Sequence, residues 1–310
     1  MAELEVSVVP YKLYDEAEVS GAVRSEPELS NPEWDRIAGA DVVVALELPD
    51  GLLSRAPALR WVQAIGAGTD HLPVDDMASR GIVVTNASGV AAGSIAEFVI
   101  GRLLQECKRF RQLDRFQQEK RWQAKHGDRL AGRTIGIVGL GAVGRETARL
   151  ARAFQMRVVA TRRSARRDDT DPDVDRLFAA DDLNLMLGEC DIVVVCAPAG
   201  PQTDGLIGAT QLAALKRGAV LCNVARGSLL DEAALIAALK SEQLSAAILD
   251  VVQTEPLPAS SPLWTAPNCY LSAHTATSHV GYPEALLELL SRNLRHFVSN
   301  EDLENAVSSR

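Results

Sequence analysis

The chain reads as an α/β protein of two domains, and three features predict it. Its 310 residues are more than one small core organises. Short β-branched runs alternate with helical patterns, the arrangement of parallel sheets covered by helices. A Gly-rich turn, GLGAVG at 139–144, lies between one such run and one such helix.

In chain order, LEVSVV, DVVVAL, LRWVQAIG and GIVVTN read as strands of a first series, with NPEWDRIAG helical between them. A long helical pattern follows, in which Ile95, Val99, Leu103, Cys107 and Phe110 recur at three to four residues, and Ser94 and Glu97 have capping-box spacing at its start. From Ile135 a second series begins: TIGIVGLG, MRVVAT, CDIVVVCAP, GAVLCNVA, SAAILDVV and NCYLSA. The chain ends in an amphipathic helix, PEALLELLSRNLRHFVS, with Leu286, Leu290, Leu294 and Phe297 on one face. This helix is expected to return the chain to the first domain. The expected domains are therefore 1–97 with 284–310, and 98–283.

Bulk properties exclude several classes. A net charge of −9 argues against a nucleic-acid or acidic-membrane surface, since those partners need a basic field. The cluster Arg162, Arg163, Arg166 and Arg167 is a local exception. Five cysteines without CxxC spacing fit free thiols in a reducing compartment. The N-terminus, MAELEVSVVP, lacks the basic and apolar segments of a signal peptide, and no apolar run approaches membrane-spanning length, so a cytoplasmic protein is expected. His274 and His279 do not share a helical face, and no metal site is expected.

Gly139, Gly141 and Gly144 form GxGxxG directly between the strand TIGIV and the helical RETARLARAF. Such spacing lets the backbone turn sharply, approach a pyrophosphate and pack helix on strand, with the helix N-terminus facing the phosphates. Together with Leu140, Ala142 and Val143 these glycines are the expected dinucleotide cradle. The same spacing can mark no more than a tight turn, and against that stand the flanking strands and helix. A Rossmann unit that binds NAD ends its second strand in a carboxylate for the ribose hydroxyls, about twenty positions beyond the first glycine. Here that window holds Thr161, Arg162, Arg163 and Ser164. Arginine offers a planar fork of donors to phosphate, so the expectation is NADP in preference to NAD, with the 2′-phosphate on Arg162 and Arg163. A solvated basic loop balanced by Asp168 and Asp169 is the competing reading. Arg166 and Arg167 extend the basic field.

Three more residues share one topological address, the carboxyl ends of strands, where open parallel sheets bind ligands. Arg226 follows AVLCNVA, Glu255 comes shortly after AILDVV, and His274 closes CYLSA. Alone, each is more often a surface charge or a satisfied core group. Together they suit the reduction of a 2-oxo acid, in which a cation holds the carboxylate and polarises the carbonyl while an acid protonates the developing alkoxide. Glu255 beside the imidazole would favour its protonated form.

With these residues the chain resembles the D-isomer-specific 2-hydroxyacid dehydrogenase family over nearly its whole length. The matching pieces are AGTDHLP at 67–73, NASGVAAGSIAE at 86–97, LAGRTIGIVGLGAVG at 130–144, CAPAGPQTDGLIG at 196–208, NVARGSLLDEAAL at 223–235 and LDVVQTEPLP at 249–258. The resemblance implies a Rossmann cofactor domain, a flavodoxin-like substrate domain with a cleft between them, and Arg226, Glu255 and His274 as catalytic residues. It further implies that backbone N–H groups of Ile65, Gly66, Ala67 and Gly68 hold the substrate carboxylate. Asp250 would bind the nicotinamide carboxamide; Ala197, Pro198, Val224 and Ala225 would line the nicotinamide, and Thr203 would lie near the cofactor phosphates. A homodimer is implied, with the arm FRQLDRFQQEKRWQAKHG as a candidate interface and Trp122 in it.

Two positions depart from the family pattern. Ala273 stands where the family usually has proline before its histidine, and Arg162 stands where NAD-using members keep aspartate. The second departure resembles the NADPH-preferring glyoxylate and hydroxypyruvate reductases. The expected activity is NADPH-dependent reduction of glyoxylate, hydroxypyruvate or a similar small 2-oxo acid to the D-2-hydroxy acid. A bulkier 2-oxo acid is one alternative. Another, of a different class, is a dinucleotide-sensing protein resembling the corepressors on this fold. Glu255 argues against the formate-oxidising relatives, which have glutamine there. No regulatory domain is expected after Arg310, so the regulated phosphoglycerate dehydrogenases are expected to fit poorly.

Overall fold

A computed structural model describes residues 30–307. The first expected strand, LEVSVV, lies outside the described residues. The chain divides into two compact units, Met1–Val90 with Gly281–Arg310, and Ala91–Val280. Both divisions fall just before helices rather than at 97/98 and 283/284, where a boundary would cut through a continuous helix in each case.

In the first unit, α1 (Asn31–Ala38), α2 (Leu52–Arg55) and α3 (Val74–Ser79) accompany the strands β1 (Val42–Ala45), β2 (Trp61–Ala64) and β3 (Val83–Thr85). The strands form a parallel sheet in the order β1-β2-β3. The central β2 is buried at every position, which is why WVQA shows no polar alternation.

The second unit opens with α4 (Ala92–Cys107), whose Ile95, Val99, Leu103 and Cys107 are buried as their spacing requires. The expected capping box does not form. Ser94 lies inside the first turn of the helix, not before it, and its hydroxyl donates to the Ala276 carbonyl (3.1 Å). Phe110 leaves the stripe as well: Arg109, in the left-handed region, breaks the helix, and Phe110 starts the separate, wholly unburied α5 (Phe110–Gln118).

The core of this unit is a parallel sheet built from β4 (Thr134–Val138), β5 (Arg157–Arg162), β6 (Arg176–Ala179), β7 (Ile192–Val195), β8 (Ala219–Asn223), β9 (Leu244–Leu249) and β10 (Cys269–Leu271). Its order, β10-β9-β8-β7-β4-β5-β6, reverses direction at β4 and β7, as in a doubly wound Rossmann sheet. The helices α6 (Ala142–Ala153), α7 (Leu183–Glu189), α8 (Ala209–Ala214) and α9 (Glu232–Lys240) join its strands. Two apolar clusters flank the sheet, one around Met186, Leu187 and Leu235, the other around Val99, Leu103 and Ala148. All five cysteines are unbridged, and burial pushes the Cys190 and Cys196 thiols up to about 12, out of the reactive range.

The chain then returns to the first unit as α10 (Tyr282–Ser299). Its expected stripe of Leu286, Leu290, Leu294 and Phe297 is only half buried, and the most buried positions are Leu289 and Asn293. Asn293 is a buried tie: its amide donates to Gln63 Oε1 (3.2 Å) and to the Glu304 carbonyl (3.1 Å), and accepts from the Glu304 N–H (2.8 Å). Among the described residues no helix is long and apolar enough to cross a membrane.

Candidate active site

The Gly-rich turn sits where the strand order reverses, between β4 and α6. Each glycine answers a different demand. Gly139 has φ +100°, and a Cβ there would lie 2.7 Å from the backbone N and Cα of Ala197, so only glycine makes this turn beside the end of β7. Gly144 faces the carbonyl of Gly139 and Ile137, and a Cβ would push α6 off β4. Nothing lies within 4 Å of a Cβ built on Gly141, which leaves the open face toward which a ligand can approach. The carbonyl of Thr161, at the end of β5, accepts from the N–H groups of Gly139 (3.1 Å) and Leu140 (3.2 Å) and fixes the turn. With the N-terminus of α6 at Ala142 and Val143 behind it, the cradle fits a dinucleotide pyrophosphate.

At the end of β5 the basic residues separate into two roles. Arg162 donates through Nη1 to Asp171 (2.9 Å), a buried carboxylate that also accepts two hydrogen bonds from Arg145 (3.0 and 2.9 Å). The hydrogen bond from Arg145 is the largest influence on Asp171 and holds its carboxyl below the usual carboxylate range. The counter-charge to Arg162 is therefore Asp171, not the neighbouring Asp168 or Asp169. Asp169 caps the loop through the Arg166 N–H (2.9 Å). Arg163 and Ser164 are exposed at the start of that loop.

Arg226, Glu255 and His274 come together beyond the ends of β8, β9 and β10. His274 Nδ1 lies 2.9 Å from Glu255 Oε2, and the other Glu255 oxygen accepts from the Val252 N–H (3.0 Å). Nδ1 faces a carboxylate, so it carries a proton, and Nε2 is the outward nitrogen. The hydrogen bond to Glu255 raises the His274 pKa above the ordinary 6.5, with the Glu255 charge adding to it, against burial and the Arg226 charge, which lower it. For Glu255, burial alone would raise the pKa. The His274 bond, the Val252 N–H and the charges of His274 and Arg226 together outweigh it, and the carboxyl is held below its usual range. The Arg226 charge thus acts on both partners of the pair.

Three residues aim this constellation, and none of them stands out in that role from the sequence. Fully buried Asn223, the last residue of β8, donates to the Arg226 carbonyl (2.8 Å) and accepts from the Ala225 N–H (3.1 Å). An Asn at a strand end followed by small residues is the available signal, since its amide bonds backbone two or three residues on. Gly227 lets the loop bearing Arg226 pack on Val252, whose backbone occupies the space a Cβ would take. Asp250 is the residue expected to face the nicotinamide carboxamide. Its buried carboxylate accepts from the Ser272 hydroxyl (2.7 Å) and from the N–H groups of Thr275 and Ala276 (3.0 Å each), gripping the loop that presents His274. His274 stands in the left-handed region at φ +52°, and its N–H donates to the Asp250 carbonyl (2.8 Å). Hydrogen bonds to Asp250 thus fix a loop in which alanine, Ala273, replaces the family's proline.

The remaining expected site residues are placed as follows. Ala197 is buried beside Gly139, Pro198 follows it, and Val224 and Ala225 are half-buried after β8. The Thr203 hydroxyl is committed to the carbonyls of Pro198 (2.8 Å) and Gly200 (3.1 Å), which makes it a brace of its own loop. Ile65, Gly66, Ala67 and Gly68 form a turn directly after β2 in the first unit, and the Ile65 N–H is donated to the Ala45 carbonyl (3.0 Å).

Residues 100–276 match the model of the D-isomer specific 2-hydroxyacid dehydrogenase NAD binding domain. The chain belongs to this family of oxidoreductases. A glyoxylate reductase from Korarchaeum cryptofilum is 33% identical over 283 residues, covering 88% of this chain and 84% of the relative. A solved D-isomer specific 2-hydroxyacid dehydrogenase family protein from Aeromonas salmonicida superposes with TM-score 0.80 at 32% identity, covering 89% of this chain and 88% of that one. An NADPH-dependent glyoxylate/hydroxypyruvate reductase from Sinorhizobium meliloti, solved with NADP and sulfate, superposes with TM-score 0.77 at 29% identity. It covers 87% of this chain and 85% of its own.

Gly139→Ala places a methyl against the Ala197 backbone at a φ that alanine adopts with strain. Nicotinamide dinucleotide binding, followed by isothermal titration, is expected to weaken at least about ten-fold, the equivalent of about 1.4 kcal/mol.

Proposed function

We propose that this dehydrogenase reduces small 2-oxo acids, glyoxylate or hydroxypyruvate, to D-2-hydroxy acids with NADPH in preference to NADH. The observation that carries the reaction is the His274 to Glu255 hydrogen bond with the Arg226 charge acting on both groups. When bound, the reduced nicotinamide supplies hydride to the carbonyl carbon. The guanidinium of Arg226 binds the substrate and draws electron density onto the carbonyl oxygen. As that oxygen becomes an alkoxide, the imidazolium of His274 gives it the Nε2 proton, and the C=O bond becomes CH–OH. Glu255 keeps the imidazole protonated beforehand and stabilises the charged ring. The backbone of Gly66, Ala67 and Gly68 holds the carboxylate. Asp250, Ala197, Pro198, Val224 and Ala225 are the proposed nicotinamide contacts, and Thr203 lies on the phosphate side.

The NADPH preference rests on chemistry at the end of β5. None of Thr161, Arg162, Arg163 and Ser164 is a carboxylate for the ribose hydroxyls, and the Asp171 carboxylate behind them is buried and bound by Arg145 and Arg162. Arg162, anchored by one of its five N–H groups on Asp171, keeps others for a 2′-phosphate, and Arg163 and Ser164 are exposed beside it. The arm of residues 110–127, which opens with α5, supports a homodimer. Its Trp122 is fully exposed, and Phe110 and Leu113 expose further apolar surface on α5. A monomer by sedimentation at micromolar concentration would contradict that assembly.

Glyoxylate- and hydroxypyruvate-dependent oxidation of NADPH and NADH, measured side by side, tests the reading. Turnover is expected with both acids and with higher kcat/KM for NADPH. Absence of turnover with any 2-oxo acid would overturn the reaction, and equal efficiency with the two cofactors would overturn the phosphate site alone. Replacing Arg162 by Asp and Arg163 by Ala together is expected to move the preference toward NADH at least about ten-fold, a difference of about 1.4 kcal/mol.

A further inference from the structure

We propose that Tyr282 is a positioning residue for the substrate, aiming the turn after β2 so that its N–H groups meet the 2-oxo acid's carboxylate. The inference rests on the reading of that turn as the carboxylate site. Tyr282 is the first residue of α10, just after the chain re-enters the first unit, and its ring is half-buried. Its hydroxyl donates to the carbonyl of Ile65. The next carbonyl along the turn, that of Gly66, accepts from the Ala87 N–H (2.9 Å). The third, that of Ala67, accepts from the Asn86 side-chain amide (2.8 Å).

Three consecutive carbonyls are thus held from outside the turn, and this fixes the donors that follow them. A trans peptide is planar, with its C=O and the next N–H pointing in opposite directions. The N–H of Gly66 is therefore directed away from Tyr282, that of Ala67 away from Ala87, and that of Gly68 away from Asn86. Successive backbone N–H groups held in a fixed turn are a general protein device for binding an anion. Ile65 is not one of them, because its own N–H is spent on Ala45.

The turn needs such anchors because glycine at 66 gives its peptides little restraint of their own. Two of the three holders, Asn86 and Ala87, belong to the loop after β3. That loop is itself tied by the Asn305 side chain to the carbonyls of Asn86 (3.3 Å) and Ser88 (2.9 Å). Tyr282 alone of the three comes from α10, and it holds the peptide at which the strand becomes the turn. Burial raises its phenol pKa, which keeps the hydroxyl a donor under neutral conditions.

Tyr282→Phe removes the hydroxyl and keeps the ring. The expected result is a KM for glyoxylate raised about ten-fold, because the turn's N–H groups lose their alignment, with kcat within about two-fold of the unchanged protein. The KM for the nicotinamide cofactor is expected to stay put, and the thermal midpoint to fall by no more than the loss of one partly buried hydrogen bond. Asn86→Ala, which frees the third carbonyl, is expected to give the same split between glyoxylate and cofactor. An unchanged glyoxylate KM in Tyr282→Phe, or a rise matched by the cofactor KM, would overturn the positioning role while the proposed function stands. Failure of the unchanged protein to turn over any 2-oxo acid would overturn the carboxylate reading, and this inference with it.

Discussion

At the carboxyl end of β9 one buried carboxylate, Asp250, holds the loop on which His274 is presented. It accepts a hydroxyl and two backbone N–H groups from residues 272–276, and its own carbonyl takes the His274 N–H. Hydrogen bonds to an ionised group are among the stronger ones in a protein, and an unpaired carboxylate at this depth would be costly. The loop is therefore pinned at four points, which is what keeps a non-glycine residue at φ +52° with its ring against Glu255. Without that grip the imidazole would lose the partner that charges it.

The same division of labour recurs along this edge of the sheet. A buried polar group at a strand end aims a loop, and the loop carries the reactive group. Thr161 does this for the Gly-rich turn through its carbonyl and Asn223 for Arg226 through its amide, while Asp171, in the loop before β6, holds Arg162 at the end of β5 through its carboxylate. In each case the buried group satisfies its hydrogen bonds within the fold, leaving exposed or half-exposed donors at the ends of the strands for a ligand. Preorganisation of this kind is what an oxidoreductase needs, because donors already in place cost no reorganisation as charge develops.

Most of the sheet is legible in the sequence because its strands are short β-branched runs buried on both faces. The glycine spacing is legible because each glycine has a separate steric reason. β6 is not: RLFA is an edge strand of four residues with no alternation to mark it. The arginine cluster is visibly basic, but its partial neutralisation is hidden, since Asp171 lies beyond Asp168 and Asp169 and acts only once the chain folds back. Ser94 misleads for a similar reason, as its spacing to Glu97 imitates a cap while the helix begins earlier. Arg226, Glu255 and His274 can be found because strand ends in a parallel sheet share one edge. The positioning roles of Asp250 and Tyr282 cannot, because they consist of bonds to backbone that only the fold brings near, whereas Asn223 bonds backbone two and three residues on.

The central claim is that Glu255 charges His274, which then donates the proton. The pH dependence of kcat/KM for glyoxylate reduction tests it most directly, measured for the unchanged protein and for Glu255→Gln. On this claim the reactive form is the imidazolium, whose pKa Glu255 raises above 6.5. The rate is therefore expected to hold at low pH and fall as pH rises, along a limb centred above that value. Glu255→Gln removes both the hydrogen bonding of an ionised partner and its charge, so the limb moves to lower pH. Limbs that coincide in the two proteins, or a rate that does not fall with rising pH, would contradict the account.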